Sequence, residues 1–121
     1  MRRECKIKVN GNSELATIEV LGDLTASAEK DMDAAYLEAC DLNPGNIILK
    51  FDGKSRINSA GIAIVINLVM ESREKGSTVY ITGVSKHFRK IFQLVGLTKY
   101  TKIIDSAEEI GAESEEGVEE Q

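Results

Sequence analysis

Residues 47–76, IILKFDGKSRINSAGIAIVINLVMESREKG, pass from an apolar run through a polar turn into a long amphipathic segment, and their reading decides the fold. Ile47, Ile48, Leu49 and Phe51 make the short β-rich run that a strand buried on both faces requires in a parallel sheet. Asp52-Gly53 ends it. From Ser59 onward, Ile62, Val65, Ile66, Val69 and Met70 fall at i, i+3, i+4, i+7 and i+8, one face of a helix, and that face is expected to be core. The same phase puts Ile64 nearly opposite, on an exposed side with Ala60, Asn67 and Glu71, which suggests a partner surface. The helix is expected to stop at Gly76, since glycine is favoured in the left-handed position that follows a helix. Asn58 and Ser59 therefore stand where a strand hands over to a helix. Either can serve as N-cap, and a hydroxyl there lies beside unpaired backbone N–H groups and the positive end of the helix dipole. In open α/β sheets that edge, outside the carboxyl ends of the strands, is where ligands and partners meet the fold.

Working outward, residues 4–10 alternate as a strand, Gly11-Asn12 supplies a turn, and residues 15–21 (LATIEVL) alternate again, which predicts an antiparallel hairpin. Gly22-Asp23 closes it. Thr25 or Ser27 then caps a helix carrying Ala28, Met32, Ala35, Tyr36 and Ala39 along one face, broken at Asn43-Pro44-Gly45. After the central strand and helix, residues 78–82 (TVYIT) form another strand. Ser85 caps a helix with Phe88, Ile91, Phe92 and Val95 at core spacing up to Gly96. A last strand over 102–104 precedes a short helix from Asp105. The predicted order is ββαβαβαβα with right-handed crossovers: one α/β domain, a mixed β-sheet with an antiparallel N-terminal edge and about four helices.

At 121 residues the chain is expected to bury about two-thirds of its unfolded surface without disulfide or metal. The N-terminus MRRECKIKV alternates charged and apolar residues, unlike a secretory signal. The longest apolar stretch, residues 62–70, is too short to cross a bilayer. A cytoplasmic protein with no membrane insertion is expected. Cys5, in a predicted strand, and Cys40, near a helix end, have neither metal-knuckle nor redox-pair spacing, so both are expected to be reduced thiols. The formal charge of −5 is concentrated at one end: residues 107–121 hold seven of the 20 acidic side chains and none of the 15 basic ones. The rest of the chain is near +2. Residues 1–110 are expected to form the domain, and residues 111–121 an acidic, disordered tail.

Little in the sequence supports catalysis. Ser59 sits in Asn-Ser-Ala-Gly, not the Gly-x-Ser-x-Gly of a nucleophile elbow, and the single histidine, His87, falls on a different predicted helix. Gly53, Gly61 and Gly83 are scattered and form neither a P-loop nor a dinucleotide fingerprint, so no cofactor is expected. Lys86, Arg89, Lys90, Lys99 and Lys102 make a modest basic group, but with aromatic residues at 5% of the chain there is no stacking platform for nucleic acid.

Two blocks, I57-N-S-A-G-I62 and V84-S-K-H-F-R-K-I-F-Q-L-V-G-L97, match in order and spacing, and through them residues 4–110 resemble the STAS domains of bacterial anti-sigma-factor antagonists. The resemblance implies a binding protein, not an enzyme. It implies that Ser59 is phosphorylated by an anti-sigma factor that is also a serine-protein kinase, that the unphosphorylated form binds this kinase and releases sigma, and that a PP2C-type phosphatase resets the switch. The partner-binding residues it implies are Asp23, Thr25, Arg56, Asn58, Ser59, Ala60 and Gly61, to which helix phase adds Ile64. Asn58 stands where the family usually has Asp, Thr25 where a second Asp is common, and Lys54 and Arg56 where apolar residues are usual. Two other roles stay open: a STAS subunit of an ABC-type lipid transporter, and a STAS scaffold that is never phosphorylated.

Overall fold

A computed structural model describes residues 4–105. Strands β1 (Lys6–Gly11) and β2 (Leu15–Leu21) pair antiparallel, Ile7 opposite Val20 and Val9 opposite Ile18. A 3-10 turn, Ala26–Ala28, leads into α1 (Glu29–Asp41), followed by β3 (Asn46–Phe51), α2 (Ser59–Glu74), β4 (Thr78–Thr82) and α3 (Lys86–Leu94). A second 3-10 turn, Leu97–Lys99, leads to β5 (Lys102–Ile104). The sheet order is β1-β2-β3-β4-β5, and every pair after the first is parallel. The mixed α/β architecture and its antiparallel edge are therefore as expected. The fourth helix expected from Asp105 and the acidic tail lie outside the described residues.

The parallel register explains why the central strand is so apolar. Ile18, Leu49 and Ile81 share one row and Ala16, Ile47 and Val79 the next, all buried against residues of the helices, including Met32, Tyr36, Val65, Val69 and Phe92. Burying each such aliphatic side chain contributes roughly 1.5–3 kcal/mol. Where the apolar periods end, caps and glycines take over. Ser85 Oγ accepts from the Phe88 N–H, and Gly76 and Gly96 follow α2 and α3 with φ of 87° and 83°.

Three local expectations are corrected. Helix α1 has no hydroxyl cap: Thr25 precedes the 3-10 turn, makes no capping bond, and shares a side-chain hydrogen bond of 3.0 Å with Ser27. Cys5 lies just before β1 instead of within it. The buried face of α2 is Gly61, Ile64, Val65, Leu68, Val69 and Ser72, with Ile62, Ile66 and Met70 only half-buried on its flank. Ile64 is 8% exposed and belongs to the core, so the exposed isoleucine expected from the helix phase does not exist.

Candidate functional site

The β3–α2 connection is organised by two aspartates acting on backbone N–H groups. Asp52, at the end of β3, accepts from the Lys54 N–H (2.7 Å) and the Ser55 hydroxyl (3.1 Å) with one oxygen, and from the Gly22 N–H (3.0 Å) with the other. Asp23 accepts from the Arg56 N–H at 3.0 Å. Between these contacts the two loops run side by side: the Leu24 N–H donates to the Arg56 carbonyl (2.9 Å), the Asn58 N–H to the Leu24 carbonyl (3.3 Å), and Leu24 and Ile57 form a parallel bridge. Charge-assisted bonds of this kind are roughly twice as strong as neutral ones, so the connection is held rigidly at both ends.

Asn58 then caps α2. Its backbone is extended and its Oδ1 accepts from the Gly61 N–H at 2.9 Å, satisfying one of the four unpaired donors of the first turn. Between the two candidate caps, Asn58 takes the role and Ser59 becomes the first helical residue, exposed to solvent. Its hydroxyl is left for chemistry that the cap does not need. A dianion at that position would gain roughly 0.3–1 kcal/mol from the helix dipole. An interface closing over the same dianion loses several kcal/mol in desolvation unless a cation meets it.

The implied partner-binding residues thus divide into two groups. Arg56, Asn58 and Ser59 are exposed and contiguous, with Ala60 half-buried beside them. Asp23, Thr25, Gly61 and Ile64 are buried behind them, with Asp23 only 3% exposed. Asp23 and Thr25 instead line a cavity of about 280 Å³ with Glu4, Cys5, Ser27 and Asp31. Burial, and then the carboxylates of Asp31, Asp23 and Asp52, push the Cys5 thiol above its usual range, so it stays protonated and is a poor nucleophile. His87 is exposed on α3, and Arg89 in the basic group pairs with Asp105 at 3.2 Å.

Two structural residues gave no usable sequence signal. Ser72, on the buried face of α2, donates to the Tyr36 hydroxyl at 3.1 Å, and Thr101 donates to the Val79 carbonyl. Burial, as the dominant cause, pushes the Tyr36 phenol up to about 12. No helix among the described residues is long and apolar enough to cross a membrane.

A family model described as "Mlab, STAS domain" matches residues 7–105. In structure the chain is similar to the anti-sigma factor antagonist SpoIIAA in its unphosphorylated form: TM-score 0.65, 19% identity, 94% of this chain and 99% of that one covered. An anti-sigma factor antagonist from Mycobacterium paratuberculosis gives a TM-score of 0.65 at 16% identity, covering 88% of this chain and 90% of that one. The Bacillus cell fate determinant SpoIIAA in the phosphorylated form gives 0.59 at 18%, covering 90% and 98%. The overlap shows a shared fold, and at these identities it shows the fold alone. No curated protein matches the chain in sequence.

Proposed function

The chain belongs to the STAS domain family, and on that premise we propose that it is an anti-sigma-factor antagonist: a cytoplasmic binding protein, not an enzyme, switched by phosphorylation of Ser59. The partner is an anti-sigma factor that is also a serine-protein kinase. The unphosphorylated chain binds it and frees sigma, the kinase turns the chain off by modifying Ser59, and a PP2C-type phosphatase restores it. One observation carries this reading: Ser59 is exposed at the first position of α2 while its neighbours Asn58 and Gly61 hold the helix start without it. A negative group added there alters what the surface meets and leaves the fold's own bonds intact. Arg56, exposed three residues earlier, supplies a cation on the same surface.

A second reading, a STAS subunit held against the ATPase of an ABC-type lipid transporter, is favoured by Asn58, which leaves the serine without an adjacent carboxylate. Affinity purification with wild type and Ser59→Asp separates the two. Retention of a serine kinase by wild type, and its loss with Ser59→Asp, supports the switch. Retention of an ABC ATPase by both overturns it in favour of the transporter.

A further inference from the structure

We propose that the solvent side of the helix layer binds a second copy of this chain in a two-fold dimer, with α1 of each protomer lying over α3 of its partner. Right-handed crossovers between successive parallel strands put α1, α2 and α3 on one face of the sheet, where residues of all three share a single core. Helix α1 packs on β1, β2 and α2, and α3 joins β4 to β5, so α2 is the middle helix of the layer. Away from the sheet, each helix leaves apolar side chains uncovered. Leu37 on α1 is 60% exposed, and Leu94, the last residue of α3, is 76% exposed. On the middle helix Ala63 and Asn67 are exposed, bordered by the half-buried Ile66 and Met70. A single exposed apolar residue is ordinary, but these are spread over all three helices on the side that faces away from the sheet.

Charge and level say what covers it. Helix α1 exposes Glu29, Asp31, Asp33, Glu38 and Asp41 against a single lysine, Lys30. From Lys86 to Lys99 there is no acidic residue, and Lys86, Lys90 and Lys99 are exposed. Between these two flanks, α2 carries no charged residue from Ser59 to Met70. An acidic flank and a basic flank on either side of an uncharged middle make the surface complementary to itself. A two-fold axis along α2 lays acidic flank on basic flank twice, the isologous contact of a cyclic dimer. Such an axis also preserves direction along the helices, which all run the same way because each links two parallel strands. Asp33 precedes Leu37 by four residues, as Lys90 precedes Leu94. Seating Leu37 against Leu94 of the partner subunit therefore brings Asp33, one turn back, opposite Lys90 of the partner subunit. The leucine contact lies toward the C-terminal ends of α1 and α3, whereas Ser59 opens α2 at its N-terminus, so the role of that serine is not involved.

The test follows the full chain by sedimentation velocity across a wide range of protein concentration. A monomer–dimer equilibrium is expected, weakening as salt rises. Asp33→Lys and Lys90→Glu each set like charges against each other at both contacts of the dimer, and each should raise its dissociation constant by about tenfold or more. Both changes in one chain restore opposite charges at both contacts and should return association close to wild type. Leu94→Gln, which removes the apolar anchor and alters no charge, should weaken the dimer as well. It decides the matter if the doubly changed chain does not fold, and association unchanged by Leu94→Gln would overturn the proposal. A monomeric mass at every concentration would overturn it too, as would a dimer that neither charge reversal weakens or that the double reversal fails to restore. Growth beyond the dimer as concentration rises would mean an open head-to-tail contact and would overturn the two-fold arrangement.

Discussion

The α-carbon of Gly61 seats against the carbonyl oxygen of Leu24, leaving no room for a β-carbon, which would also stand 2.8 Å from Ile57 Cγ2. The first turn of α2 is thereby pressed onto the Leu24–Ile57 bridge, and the exposed pair Asn58-Ser59 is fixed relative to the β2–α1 loop. Gly61 is needed for space and not for a left-handed torsion.

Gly61→Ala therefore sets two effects against each other. Alanine gains up to about 1 kcal/mol of helix propensity, whereas a β-carbon forced onto backbone costs roughly 1–3 kcal/mol through displacement. The clash is with a carbonyl that cannot rotate away, so a net loss of stability is expected. Thermal unfolding of the variant checks it, and a melting temperature equal to wild type would contradict the close packing.

Ile64 is the second test of the same helix. Its side chain lies in the core between α1 and α2, so Ile64→Ala should cost roughly 2–5 kcal/mol, and Ile64→Arg more, because it buries a charge without a partner. Ile66→Ala, on the half-buried flank, should cost less than Ile64→Ala. Urea unfolding of the three variants gives the order directly.

The rotation of α2 shows where the sequence was readable and where it was not. Strands β2, β4 and β5 and the caps at Ser85, Gly76 and Gly96 were readable because alternation, β-branched residues and glycine are local signals. Within residues 62–70 only Ala63 and Asn67 break an otherwise large-apolar run, so an apolar stripe can be drawn in more than one phase. What sets the phase is Gly61 and Ser72, two buried residues that count for nothing on an apolar template. The place of Ser59 at the strand-to-helix junction was equally local. The bonds from Asp23 and Asp52 to the backbone of the neighbouring loop connect residues about 30 apart and exist only in the folded chain.

Burial of the Tyr36 phenol makes stability depend on alkaline pH. The phenol's ordinary value of 10.0 is raised to about 12 in the fold. An acid with a raised folded pKa keeps its full contribution below pH 10, and that contribution is lost as pH rises towards 12, because the unfolded chain releases its proton first. The loss is on the order of 2 kcal/mol. Tyr36→Phe should flatten this part of the profile relative to wild type and lower stability at neutral pH by about 1 kcal/mol, since the Ser72 hydroxyl loses its acceptor. Chemical unfolding between pH 8 and pH 12 measures both.

At the proposed switch, Ser59→Asp should fold as wild type does, because the native serine hydroxyl is not the cap of α2. It should weaken partner binding tenfold or more, at least about 1.4 kcal/mol. Ser59→Ala should still bind. Calorimetry with the purified partner decides, and equal affinities for wild type and Ser59→Asp would exclude a charge-operated switch.

Asn58 separates the structural from the catalytic demands on this turn. Its Oδ1 already makes the capping bond to the Gly61 N–H, which an aspartate oxygen can make equally well. Asn58→Asp also places a negative charge at the positive end of α2, which adds roughly 0.3–1 kcal/mol of stability. The cap is thus conserved by the change, and any effect on phosphorylation comes from the charge. A carboxylate beside Ser59 can accept the serine proton or help hold a metal ion near the nucleotide phosphates, and a neutral amide supplies neither. The exposed Lys54 and Arg56 could steady phosphate oxygens but would take no proton, so they would offset only part of that difference. Asn58→Asp is therefore expected to accelerate modification of Ser59 by the cognate kinase while raising the melting temperature slightly. Initial rates by intact mass at matched binding occupancy, alongside thermal unfolding, read the two effects separately. A stabilised variant with an unchanged or slower rate would mean that the kinase needs no carboxylate at this position.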